Sequence, residues 1–176
     1  ISCYSPADSG SILLDGVELA RLKEDELAGV RNRKLGFVFQ DFLLLDGLSV
    51  RENILLPAIL SGHINSTAEA RADQLCDVFG IGGIRDKYPA EISGGEKQRT
   101  AVARALINHP LLVLADEPTG NLDSAASESV MRMLVQLNET TGQTIVMITH
   151  DEALALQAKR ILRLRDGRIV KDEVRA

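Results

Sequence analysis

The chain has 176 residues, of which 45% are hydrophobic and 26% charged, the composition of an ordinary globular domain. Its formal net charge of -5, with no block of five basic residues, argues against a nucleic-acid face, and no apolar run approaches the roughly 20 residues that span a bilayer. Cys3 and Cys76 form no CxxC pair, which fits a reducing compartment and speaks against a cysteine metal site.

In chain order, the triplet Ile12-Leu13-Leu14 before Asp15-Gly16 predicts a short strand ending in a turn. Residues 22–31 predict a polar helix, and LGFVFQ at 35–40 a buried strand. The pattern turns helical from Val50 to Gly62. It is helical again over 67–79, where Ala72, Leu75, Cys76 and Phe79 fall at i, i+3, i+4 and i+7. These two helices interrupt the strands and predict a small helical subdomain near residues 50–92.

Ser93 opens a third helix that runs to about Asn108 and stops at Pro110. LLVLA at 111–115 predicts a strand buried on both faces of a parallel sheet. Residues 125–138 predict a helix, and TIVMIT at 144–149 a second buried strand. Strand, helix and strand over this distance make a βαβ unit with a right-handed crossover. Asp166-Gly167, flanked by 161–164 and 168–170, is a hairpin signal. The expected class is α/β: one domain with a mostly parallel sheet, flanking helices and a helical insertion.

Two strings carry chemistry. LLVLADE delivers Asp116 and Glu117 to the C-terminal end of a buried strand, where ligands sit in open α/β sheets. There Asp116 suits Mg²⁺, which keeps several waters and takes one or two carboxylates. Glu117 suits polarising a water that attacks a phosphate. The string taken alone also fits a strand followed by a polar turn. The second string is EISGGEKQR at 91–99. Ser93 and Glu96 form a capping box, yet Gly94-Gly95 weakens the first helical turn. Two glycines there permit close backbone approach to an anion at the positive helix end.

ISGGEKQR resembles the signature motif of ABC ATPases. The family's other motifs follow in order: Gln40 matches the Q-loop glutamine, Asp116 and Glu117 the Walker B pair, Asn121-Leu122-Asp123 the D-loop, and His150 after TIVMIT the H-loop histidine. Within the family, ADEPTGNLDS resembles the subgroup serving macrolide export, lipoprotein release and cell division. GFVFQDFLLLDGLSVRENILLP is similar to antimicrobial-peptide resistance and export ATPases of that subgroup.

The resemblance implies a P-loop NTPase-like fold and ATP with Mg²⁺ bound between two subunits arranged head to tail. Each site pairs Asp116, Glu117, His150 and a phosphate loop of one subunit with Ser93, Gly94, Gly95 and Glu96 of the other. It implies that Gln40 touches Mg²⁺ and water, that His150 contacts the γ-phosphate, and that Asp123 reaches across the dimer. It implies a separate membrane permease as partner and a peripheral place on the cytoplasmic face of the inner membrane. The apolar residues 42–45, which follow Gln40 and Asp41, and the segment up to Leu60 are expected to dock that permease; the alternative is burial in the helical subdomain. A chromosome or DNA-repair ATPase and a non-catalytic scaffold are the rival readings.

The family's G-x-x-x-x-G-K-[ST] loop has no counterpart here, since Gly-Lys occurs nowhere in the sequence. Residues 1–4 read as the continuation of the helix after that loop. About 40 residues are therefore expected upstream, the size of a strand–loop–helix unit, and residues 1–176 are read as a partial domain, inactive in ATP hydrolysis alone. Ile92 stands where the motif usually has Leu, and Glu96 where it commonly has Gln.

Overall fold

The structure, a computed structural model, describes residue 3, residues 7–62 and residues 64–175. The helix tail expected over residues 1–4 lies outside these apart from Cys3, as does His63. The described chain opens with an antiparallel pair, β1 (Leu13–Leu14) and β2 (Val17–Glu18). Asp15 and Gly16 turn it in left-handed backbone, φ 53° and 74°. The polar helix α1 (Glu24–Lys34) starts two residues later than the pattern predicts and runs three further. It places acids in its first turn and bases in its last, in line with the helix dipole.

The sheet consists of three parallel pentapeptides, β3 (Leu35–Phe39), β4 (Leu112–Asp116) and β5 (Thr144–Ile148), in the order β3-β4-β5. Phe39 lies opposite Asp116, and Asp116 opposite Ile148. The three strands therefore end level, and the residues after them share one edge of the sheet.

Between β3 and β4 come α2 (Val50–Leu60), α3 (Ser66–Val78) and α4 (Gly94–Leu106). Ser49 and Asn65 cap α2 and α3 through their side chains. The buried cluster is continuous from these helices into the sheet: Val50, Ile54, Leu75 and Phe79 share it with Val102 and Val113. Cys76 belongs to it, and burial pushes its thiol up to about 11, which makes it unreactive at neutral pH.

α5 (Ser124–Thr141) carries the chain from β4 to β5 and closes on Gly142 in left-handed backbone. α6 (Glu152–Ala155) then leads to a separate antiparallel hairpin, β6 (Arg160–Arg165) and β7 (Arg168–Val174), turned by Asp166-Gly167.

TIVMIT forms the parallel strand that its composition predicts, and its burial is set by what flanks it among the described residues. No residue of β5 is buried, and Ile148 is 62% exposed. The reason is topological: among the described residues β5 pairs only with β4, so it is an edge strand with one side of its ladder open. Among the described residues no helix is long and apolar enough to cross a membrane.

Candidate active site

Glu117 leaves β4 in a left-handed conformation, φ 43°, which non-glycine residues adopt only where the surroundings enforce it. Its amide still bonds to Ile148 O at 2.9 Å, extending the β4–β5 ladder by one rung. The turn brings the carboxylate over the end of β5. There Oε1 accepts from the His150 amide at 2.9 Å and lies 2.7 Å from His150 Nδ1, while Oε2 accepts from the Thr149 hydroxyl at 3.2 Å.

The pair is asymmetric in exposure. The Glu117 side chain is 21% exposed and the His150 ring 88%. Burial works to raise the Glu117 pKa, but the bonds and charge of His150 and the Thr149 hydroxyl outweigh it and hold the carboxyl below its ordinary value. Glu117, through its hydrogen bond and then its charge, pushes His150 above its ordinary value. An ionised carboxylate only accepts, so Nδ1 is the donor in this pair. His150 Nε2 then faces outward and, when the ring is protonated, donates to an anion.

Gln40 follows β3 on the same edge. Its Nε2 donates to Asn121 Oδ1 at 3.1 Å, and Asn121 Nδ2 returns bonds to Gln40 O at 3.2 Å and Asp41 Oδ1 at 2.7 Å. The Gln40 side chain lies so close over Gly120 that a Cβ there would meet it at 2.9 Å and displace the Gln40 amide. Asp116 is exposed at the end of β4.

Residues 40–49 form a loop held from three elements. Asn121 fixes its start. Arg104 of α4 donates to Phe42 O at 2.7 Å and Leu43 O at 2.5 Å, pinning two consecutive residues that are left-handed at φ 60° and 47°. Asn53 of α2, fully buried, donates to Leu45 O, Leu48 O and Ser49 O and accepts from the Leu45 amide. Within the apolar run 42–45, Leu43 and Leu45 thereby point outward, 54% and 49% exposed, while Phe42 and Leu44 are half-buried. The segment expected to dock as a unit is split: Val50, Ile54, Leu55 and Ala58 of α2 are core.

At the start of α4 the expected capping box is present. Ser93 N–H and the Ser93 hydroxyl both donate to Glu96 Oε2 at 2.7 Å, and the Glu96 amide donates back to Ser93 Oγ at 3.3 Å. These bonds, with Arg99 and Lys87 nearby, hold the Glu96 carboxyl below its ordinary value. The two glycines have an intrachain reason as well. A Cβ on Gly94 would meet Leu122 at 3.3 Å, and one on Gly95 would meet Ala126 at 3.3 Å. Gly95 is buried; Ser93 is exposed. Asp123 caps α5, accepting from the Ala126 amide at 2.8 Å.

The structure thus brings Glu117, His150, Asp116 and Gln40 to one sheet edge. It places Ser93, Gly94, Gly95 and Glu96 on a helix start packed beside the 121–126 turn. Gln98, Arg104 and Asn53 carry no role in the sequence reading, yet each ties this edge together. Gln98 had a signal: it interrupts an apolar stripe that runs through Gly95, Ala101, Val102 and Ala105 on α4.

A parallel sheet that delivers acids, an amide and a histidine to one edge, beside a glycine-led helix start, defines an α/β domain of the P-loop NTPase type. A sequence profile described as "ABC transporter" matches residues 1–120, and the chain belongs to that family.

Among its relatives is the macrolide export ATP-binding/permease protein of Neisseria meningitidis, 42% identical over 98% of this chain and 27% of the relative. The bacitracin export ATP-binding protein of Halalkalibacterium halodurans is 46% identical over 96% of this chain and 67% of the relative. The dimeric post-hydrolysis structure of an ATP-binding cassette bound to ADP and Pi superposes with a TM-score of 0.86 at 37% identity, covering 99% of this chain and 77% of that one. The chain spans about a quarter, 24% to 27%, of the macrolide-export relatives it matches.

Proposed function

We propose that this chain forms the catalytic edge and the signature face of an ATP-hydrolysing subunit that powers export through a membrane permease. The observation that carries this is the left-handed turn at Glu117, which sets an ionised carboxylate against His150 at the level end of three parallel strands. Two subunits meet head to tail, so that Ser93–Glu96 of one faces the nucleotide held by the other, and Asp123 lies at their boundary. The subunit sits peripherally on the cytoplasmic face of the inner membrane.

The residues fit Mg²⁺ and ATP in a specific way. Among the described residues no cluster of three or more His, Cys, Asp or Glu side chains could hold a metal. Mg²⁺ does not need one, because it takes few protein ligands and completes its shell with water and phosphate oxygens. Asp116 and the Gln40 amide oxygen would hold it, and bound Mg²⁺ neutralises charge on the phosphates.

Glu117 is ionised at neutral pH, and its depressed pKa makes it a weak base. Its role is to align and polarise the attacking water, taking a proton only late. His150, raised in pKa and with its side chain exposed, donates to the γ-phosphate. The start of α4 supplies a helix dipole and backbone amides to the partner's γ-phosphate, and the Ser93 hydroxyl joins them once it leaves Glu96. The 176 residues contain no Gly-Lys phosphate loop, so they supply this site only in part.

Glu117→Gln keeps shape and removes the charge. In the full-length protein it is expected to lower ATP turnover by about 10²–10⁴, the usual effect of losing such a group, with nucleotide binding retained. Wild-type turnover in that variant would sink the assignment.

For the permease, the exposed leucines are the test. Leu43→Glu is expected to change stability by no more than about 0.5 kcal/mol, as exposed substitutions do. It should abolish co-purification with the permease, because an unpaired charge would be desolvated in the interface. Ile54→Ala, in the core, is expected to lose about 2–5 kcal/mol. If Leu43→Glu lowers the melting temperature as Ile54→Ala does, Leu43 is packing and docking lies elsewhere.

A further inference from the structure

Gln98 is the fully buried amide of α4, two residues past the capping box. Its Nε2 donates to Pro118 O at 2.5 Å and lies 3.5 Å from Phe39 O. Those carbonyls belong to the residue after Glu117 and the residue before Gln40. One NH₂ group thus bridges the exits of β4 and β3, the two strands that present the reacting groups.

The orientation is fixed by chemistry. Turning the amide over would set an oxygen against two carbonyl oxygens. The consequence is that Oε1 is buried with no partner among the described residues. Leaving a buried acceptor unmade is unfavourable. A methionine of similar length would fill the same space without that penalty. The amide is retained in the core for the two carbonyls it reaches, not for packing.

We infer that Gln98 is a positioning residue that couples the Ser93–Glu96 face to Gln40 and Glu117 of its own subunit. This rests on the proposed function, in which that face serves the partner's nucleotide and Gln40 and Glu117 serve the subunit's own. Any shift of α4 when the face closes on a phosphate is passed through one rigid amide to both strand exits. The two nucleotide sites of a dimer are then mechanically linked, and Gln98 sets the fixed spacing between Gln40 and Glu117. Arg104, further along the same helix, holds the turn after Gln40 in the same sense.

The test uses the full-length protein carrying Gln98→Met. The expected result is about a tenfold fall in kcat, the scale on which small misplacements of reacting groups act. KM for ATP should stay within about twofold, and the cooperativity of hydrolysis should be lost. In a Glu117→Gln background, ATP-driven dimer formation should be unchanged by Gln98→Met.

Gln98→Glu gives a second, independent readout. A buried carboxyl facing carbonyls stays protonated to unusually high pH and can then donate to Pro118 O. Activity of Gln98→Glu should therefore recover as pH falls, relative to wild type. A Gln98→Met protein with wild-type kcat and cooperativity overturns the inference. So does one in which kcat, dimer formation and melting temperature fall together, or a Gln98→Glu protein whose pH profile parallels wild type. If Glu117→Gln alone remains active, the proposed function has failed, and the inference with it.

Discussion

Glu117 at the end of β4 and Ser93 at the start of α4 dispose of their polar groups differently. Glu117 engages both oxygens within the chain, on Thr149 and on the amide and ring of His150. Ser93 and Glu96 bond to each other, while the amides of Gly94 and Gly95 make no bond within the described residues. The strand end is preorganised by its own fold. The helix start has unmet donors, which a ligand from outside can satisfy. The contrast separates a cluster whose polar groups are met within the chain from one that leaves amide donors open, as the proposed head-to-tail arrangement requires.

The largest effect that can break this contrast is at His150. His150→Ala leaves the Glu117 carboxylate with only the amide and the Thr149 hydroxyl. ATP turnover is expected to fall on the order of 10². The ring is 88% exposed, so the melting temperature should hold within about 2 °C. A large drop in melting temperature with turnover preserved would mean that the pair is structural.

A smaller effect sharpens it. The His150 pKa is raised by the Glu117 hydrogen bond and then by its charge, and the Glu117 pKa is lowered despite its burial. The histidine's contribution to stability is therefore complete below its unfolded pKa and is lost as pH rises through the raised folded value. The carboxylate's contribution is present above its unfolded pKa and is lost as pH falls through the lowered folded value. The ion pair is fully formed between those two folded pKa values. NMR titration of the His150 ring should give a midpoint above its ordinary 6.5, and Glu117→Gln should bring it down. A midpoint indifferent to Glu117→Gln would mean that the contact is not formed in solution.

The sequence was most legible where one local rule decides. Ser93-x-x-Glu96 predicts a capping box, and the box is there to the atom. Asp166-Gly167 predicts a hairpin turn, and both residues are left-handed. LGFVFQ and LLVLA register as parallel strands with ends a residue or so from their predicted bounds.

Where environment decides, the reading was less complete. TIVMI has the composition of a central strand, but exposure depends on which strands flank it, and among the described residues only β4 does. The run 42–45 has the composition of a core segment, yet Arg104 and Asn53, 61 and 8 residues away from the carbonyls they hold, fix a backbone that leaves Leu43 and Leu45 exposed. Side chains that act across such separations leave little local pattern. Gln98 left one, a polar residue within an apolar stripe, and it is the buried tie between the strand exits. The candidate residues Gln40, Asp116, Glu117 and His150 came from motif order; their common edge follows from the register of three strands.

In the proposed function, Ser93–Glu96 serves a nucleotide held by a second subunit. The most direct test is ATP-driven dimer formation, followed by sizing, of full-length Glu117→Gln and of the double variant Glu117→Gln/Ser93→Glu. The added carboxylate would face the partner's γ-phosphate and repel it, without touching the subunit's own nucleotide. The expected result is dimer for Glu117→Gln, monomer for the double variant, and equal ATP binding by the two as monomers. Dimer formation by the double variant, or loss of ATP binding by its monomer, would contradict the account.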